Sequence, residues 1–166
     1  MRERPTNSDD VIDSRDVIAA IDELQGERDG LESELTEMQA AQAELAADAG
    51  DEAHSAAGAA VAAARDALRE WDEDNGDELK ALQAFQDDAS GTSDWRYGET
   101  CVRESYFEDY AQQLAEDCAP FSRNSEVGKV LDSWPYRCID WEKAAHELKM
   151  DYFEADFDGV TYYVRS

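Results

Sequence analysis

From Val17 onward, apolar residues recur in alternating steps of four and three: Val17, Ile21, Leu24, Leu31, Leu35, Met38 and Leu45, with Arg28 and Gln42 in the two skipped positions. A period near 3.5 residues places every member on one stripe of a helix, which is the pattern of a coiled-coil seam. Gly26 and Gly30 weaken that helix by roughly 1 kcal/mol each relative to alanine, without breaking the stripe. A long amphipathic helix whose seam must be covered is therefore the first requirement on the fold. The spacing is read here as an oligomer seam, with a homodimer expected and the polar Arg28 and Gln42 setting its register.

The segment Ala46–His54 reads as a turn, with Gly50 as breaker. An alanine-rich second helix is expected from Ala53 to Trp71, with Ala57, Ala60, Val61, Ala64, Leu68 and Trp71 as its apolar stripe. Small residues let a neighbouring helix approach closely, so an antiparallel helical hairpin is the simplest local arrangement. Asn75-Gly76 is expected to interrupt, and Asp77 to cap a short helix carrying Leu79, Leu82 and Phe85. Asp87–Asp94 reads as a linker. Beyond it lie all the aromatic residues except Trp71 and Phe85. Glu104–Cys118 is amphipathic, with Phe107, Tyr110, Ala111, Leu114 and Cys118 on one face, and Pro120 ends it. Pro135 falls in the next loop, and Asp140 is a suitable N-cap for a helix containing Trp141, Ala144, Ala145 and Leu148. Tyr152–Phe157 and Val160–Val164 are β-prone runs joined by Asp158-Gly159, the dipeptide of a two-residue hairpin. The predicted fold class is mainly α with a small α+β C-terminal unit. Its parts are an acidic helical hairpin or coiled coil over 11–88 and a domain of two helices plus one β-hairpin over 95–166, the latter expected to fold alone.

Charge excludes several functions. The 166 residues contain 41 acidic and 15 basic side chains, a formal net charge of −26. Nucleic acid and anionic membrane surfaces repel such a chain, because each phosphate contact needs a Lys or Arg. Basic proteins attract it and meet it faster at low salt. No apolar run approaches the roughly 18 residues of a membrane span, and no apolar stretch follows the charged Met1–Thr6 opening, so no signal peptide is expected. The odd set Cys101, Cys118 and Cys138, widely spaced, points to reduced thiols in a cytoplasmic setting rather than a disulfide framework.

Catalytic chemistry is not announced. His54 and His146 are the only histidines and neither accompanies a nucleophile motif. The cysteines lack the close pair of a zinc site. Asp72–Asp77 resembles a calcium loop only superficially: counted from Asp72, Gly76 falls at position five and Gln83 at position twelve, where an EF-hand needs Gly at six and Glu at twelve. No phosphate-binding loop is present. No cofactor and no metal are expected. What remains is the display of carboxylates. The candidate partner-binding residues are Asp22, Glu23, Glu27, Asp29, Glu32, Glu34, Glu37 and Glu44 on the first helix, and Glu104, Glu108 and Asp109 at the start of a later one. A helix from Asp13 to Asp48 would be roughly 50 Å long at its standard rise, with the charge sign of DNA.

Three segments carry a resemblance. Arg103–Asp117, Trp134–Tyr152 and Asp156–Arg165, with the opening Asp13–Ile18, are similar to small acidic proteins of tailed bacteriophages. The closing block, Ile139-Asp-Trp-Glu142 through Gly159 to Tyr163-Val-Arg165, resembles the end of ArdA-type antirestriction proteins. That resemblance implies an acidic DNA mimic occupying the DNA groove of a host defence protein, a restriction enzyme or CRISPR effector, in the cytoplasm of a bacterial cell. It implies no direct contact with nucleic acid and no enzymatic activity. The competing expectation is a non-enzymatic coiled-coil assembly or scaffold protein, in which the acidity serves solubility alone.

Overall fold

A computed structural model describes residues 4–45, 49–91, 94–118, 134 and 136–165. In chain order the elements are strand β1 (Val11–Asp13), helix α1 (Ser14–Ala43), helix α2 (Asp51–Ala89), the single turn α3 (Trp95–Gly98), strand β2 (Thr100–Arg103), helix α4 (Phe107–Cys118), helix α5 (Trp141–Leu148) and strands β3 (Tyr152–Phe157) and β4 (Val160–Arg165). The protein is mainly α, with a small α+β part built on one four-stranded antiparallel sheet of order β1-β2-β4-β3. Among the described residues no helix is long and apolar enough to cross a membrane.

The chain divides into two compact units, residues 19–83 and residues 1–18 with 84–166. This differs from the division at 11–88 and 95–166 expected from composition. The cause lies in strand pairing and aromatic packing. Val11–Asp13, expected at the start of a helix, is an edge strand paired with β2, Ile12 lying opposite Cys101. Phe85, expected on a short separate helix, stacks on Phe157 at 4.8 Å and meets Tyr162 at 5.5 Å and Trp95 at 6.1 Å between ring centroids.

The sheet of the discontinuous unit is covered on both faces. Cys101, Ile12, Ala155, Tyr162 and Val164 share the face buried with Phe85 and Trp95. Val102 and Tyr163 lie on the other, in a core with Phe107, Ala111 and Ala145 from α4 and α5. Tyr162, Tyr163 and Val164 are therefore all buried in succession, as a strand packed on both sides requires. The hairpin closes as expected at Asp158-Gly159, both residues having positive φ (49° and 79°), the conformation a type I′ turn demands. Asp140 caps α5 by accepting a bond from the Lys143 amide. The Pro120 and Pro135 expectations fall outside the described residues.

Ser14 ties the N-terminal strand to this core. Its fully buried hydroxyl donates to the Trp95 carbonyl at 2.6 Å and accepts from the Glu99 amide at 2.7 Å, while its own amide donates to the Glu99 carbonyl. The Tyr162 hydroxyl donates to the Asp9 carbonyl at 2.6 Å, fixing the segment before β1.

The unit of residues 19–83 is an antiparallel helical hairpin. Arg28 bonds Asp72, Trp71 bonds Glu27, and Gln42 approaches Gly58. α1 ends at Ala43, before the expected turn, and α2 begins at Asp51, inside it, so Asp51–His54 are helical rather than turn. Three expectations are corrected here. First, α2 runs unbroken through Asn75-Gly76 to Ala89. The penalty of about 1 kcal/mol for glycine in a helix is outweighed by burial of Leu79 and Leu82 on the same helix, worth roughly 1.5–3 kcal/mol each. Second, Asp87 and Asp88 are helical rather than linker; the Asp88 carboxylate accepts from the Asp156 amide on edge strand β3. Third, the heptad stripe faces the chain's own second helix. Arg28 and Gln42, which fill its skipped positions, reach α2, as does Glu27 beside Arg28. Ile21 and Leu24 are buried in the hairpin and Val17 in the other unit, while Leu31, Leu35, Met38 and Leu45 are half-buried. The stripe read as an oligomer seam is thus packed within one chain.

Two outcomes follow from this arrangement. Ser14→Ala leaves a carbonyl and an amide without their buried partner and should destabilise the protein by about 1–3 kcal/mol, read as a lowered urea midpoint with unchanged m; no change would remove Ser14 from its stapling role. A chain beginning at Trp95 lacks β1 and Phe85 and should melt without a cooperative transition by circular dichroism, whereas a sharp melt would restore the contiguous domain.

Candidate protein-binding surface

Residues 19–83 carry 18 acidic and four basic side chains, a net charge of −14. The sequence-predicted residues Asp22, Glu23, Glu27, Asp29, Glu32, Glu34, Glu37 and Glu44 all lie exposed on α1. They are off the heptad stripe, whose positions are taken by apolar residues, Arg28 and Gln42; Glu27, beside Arg28, accepts a bond from Trp71 of α2. Helix α2 adds residues that sequence reasoning missed. Asp66, Glu70, Glu73 and Asp77 are exposed and follow one another in steps of four, three and four, so they line one helix face. Over about 16 Å of helix this row presents a carboxylate every turn. The spacing was visible in the sequence. The expected break at Asn75-Gly76 hid it, by assigning Asp77 to a different helix.

Three of the hairpin's four basic residues are engaged by its own acids. The Arg28 guanidinium bonds Asp72 at 2.9 Å and Glu32 at 2.6 Å. The Asp72 bond helps to hold its pKa above the ordinary arginine value. Arg69 lies 3.1 Å from Asp66 and 3.7 Å from Glu73, and Lys80 lies 3.2 Å from Asp77. Pairs this exposed contribute about 0–1 kcal/mol each to stability. Each pair sets a cation against a carboxylate, Asp66, Glu73 and Asp77 of the α2 row among them, and the excess of acids leaves the net charge of the hairpin at −14.

The three candidates near α4 are also exposed but have different surroundings. Glu104 accepts from the Tyr163 hydroxyl at 3.4 Å and lies 3.8 Å from the Lys149 ammonium. That ammonium sits 4.1 Å from the Tyr163 ring centroid and 5.3 Å from that of Phe107. Glu104 is thus part of a local clamp that holds the end of α5 against α4. Burial, then the Glu104 charge, push the Tyr163 phenol up to about 12. Glu108 lines a cleft of about 520 Å³ with Glu142, Lys143 and His146. Asp109 is simply solvated. The structure does not bring these three into the hairpin unit; they belong to the sheet-based one.

Among the described residues, no group of three or more His, Cys, Asp or Glu side chains is placed to hold a metal ion. His54 and His146 are exposed. Cys118 and Cys138 are exposed, whereas Cys101 is buried in strand β2, where burial pushes its thiol up to about 12. Searches of family models, curated proteins and solved structures return no match to this chain.

The cysteine environments give a quantitative expectation. At pH 8 an aromatic disulfide reagent should titrate two thiols quickly and the third only after denaturation. Cys101, Tyr162 and Tyr163 all have pKa values raised to about 12 by burial. The folded state therefore holds these protons more tightly than the unfolded state. Their contribution to stability is fully present below pH about 8.5 and is lost as the pH rises through about 12. Melting temperature should fall progressively above pH 9 for this reason, and a flat profile to pH 11 would contradict the buried placement.

Proposed function

We propose that this chain is a phage- or prophage-encoded inhibitor of a host DNA-targeting defence system, and that it binds the basic DNA groove of a restriction enzyme or CRISPR effector in place of DNA. The observation that carries the reading is the hairpin of residues 19–83, with its net charge of −14 and carboxylates along the exposed faces of both helices. A groove built for DNA expects negative charge at every 1.7 Å or so of duplex axis. The hairpin offers charge of the same sign at lower density, on a scaffold with 18 acidic and four basic side chains. Meeting such a surface releases the counterions of both partners, which makes binding salt-dependent. The sequence resemblance to ArdA-type proteins supports the class of target. No catalytic step is part of this function, and the site of action is the cytoplasm of the bacterial host.

The assembly reading has weaker support, because it needs an apolar seam directed outward and the heptad stripe of α1 is packed on α2.

The test is displacement from DNA. Host DNA-binding proteins are retained on a duplex-DNA matrix at 150 mM salt and eluted with the chain, with polyglutamate of equal total charge as control. Selective elution of a nuclease or effector subunit by the chain alone is expected. The variant Asp66→Asn, Glu70→Gln, Glu73→Gln, Asp77→Asn should need at least tenfold more protein for the same elution while keeping its helical circular dichroism. Equal elution by polyglutamate, or full potency in the neutralised variant, would overturn the reading.

A further inference from the structure

The dipeptide Asn75-Gly76, expected as a break, lies inside α2, which runs unbroken across it. Gly76 is buried and Asn75 half-buried. In an α-helix the Gly76 amide donates to the carbonyl four residues earlier, that of Asp72. The Asn75 carboxamide is turned back one helical turn, where its Nδ2 donates to the Trp71 carbonyl at 3.3 Å. Side chains on a helix lean in that direction. The carboxamide and the amide nitrogen that follows it therefore each have a partner of their own.

This arrangement bears on the chemistry of the pair. In a chain free to move, the nitrogen after an asparagine attacks the carboxamide carbon. The N–Cγ bond forms, the Cγ–Nδ2 bond breaks, and ammonia leaves with the amide proton. Water then opens the five-membered imide at either carbonyl, giving aspartate or an isoaspartyl link. Glycine in second place favours the step, because it has no side chain to crowd the ring and its backbone is the most permissive. Ring closure requires Asn75 to leave the helical φ/ψ region and Gly76 to give up its place in the ladder. Burial of Leu79 and Leu82 on the following turns opposes both.

We propose that Asn75-Gly76 is a deamidation site that α2 holds silent, and that its modification irreversibly marks chains whose hairpin has opened. Water is the co-reactant. An isoaspartyl link adds a carbon to the main chain between residues 75 and 76, so the backbone bonds that cross it no longer fall in helical register. A marked chain does not rebuild α2 as one helix, and Asp77 is cut off from Asp66, Glu70 and Glu73, with which it shares a face. Local opening reaches a small fraction of molecules at any moment, and the site accumulates the record over time. The inference concerns the hairpin itself and does not rest on the DNA-competition reading.

The experiment incubates the full chain at pH 8 across a guanidinium chloride series, followed by tryptic digestion. Cleavage after Arg69 and Lys80 releases Glu70–Lys80, in which Asn75 is the sole carboxamide. The mass gained when that amide becomes a carboxyl locates the event, and synthetic aspartyl and isoaspartyl peptides identify the products by chromatography. The rate in native buffer should be at least tenfold below that of the unfolded chain, and should rise through the range in which helical circular dichroism is lost. Isoaspartyl chains returned to native buffer should recover less helical signal than unmodified chains treated alike. Equal rates in the folded and unfolded chain, or full recovery of helix by the isoaspartyl product, would overturn the inference.

Discussion

Repulsion among carboxylates is the constraint on which this fold turns. A chain with a net charge of −26 gains no stability from ordinary surface electrostatics and must be held by what it can bury. In the hairpin that means a narrow stripe: Ala20, Ile21 and Leu24 from α1, with Val61, Ala64, Leu79 and Leu82 from α2, form the buried apolar set. Alanines on α2 permit close approach, but each buries little area, so the longer side chains supply most of the apolar stabilisation. Arg28, Arg69 and Lys80 are spaced along the hairpin where each meets two acids or one. They lower the local repulsion that compaction creates, and the net negative field survives.

The sheet-based unit meets the same constraint differently. Its aromatic side chains bury large areas, and β2 and β4 are sandwiched between them. It is assembled from distant parts of the sequence: β1 pairs with β2, and Ser14 bonds the Trp95–Glu99 segment. Helices α1 and α2 contribute their first and last residues, respectively, to this unit and the remainder to the hairpin.

What could be seen beforehand follows from the reach of each signal. Local chemistry was legible. Asp140 announced a cap, Asp158-Gly159 a type I′ turn, the 4-3 spacing of α1 a long packed helix, and the alanine-rich segment a hairpin partner. Signals that depend on tertiary partners were not legible. The three residues of β1 are too few to show a period, and β2 is four residues long; both are strands because they pair with each other and with β4. Asn75-Gly76 looked like a terminator because propensity is local, whereas Leu79 and Leu82 are held by burial. The same heptad stripe suits a second copy or a second helix of the same chain, and periodicity alone does not choose between them. For the candidate surface, the acids on α1 were legible from charge and spacing, and the row on α2 was hidden by the supposed break. Glu104 looked like one more exposed acid until its bonds to Tyr163 and Lys149 were seen.

The central claim is that the hairpin of residues 19–83, and not the sheet-based unit, meets the partner. Amide hydrogen exchange, followed by mass spectrometry on the full chain with and without a host DNA-binding protein eluted in the displacement test, measures this directly. The account predicts slowed exchange in peptides from α1 and the 51–83 part of α2, with peptides from β2, α4, α5 and the β3–β4 hairpin unchanged, and loss of that protection when saturating duplex DNA is added. Protection confined to the sheet-based unit, or protection of the hairpin that persists beside bound DNA, would contradict it.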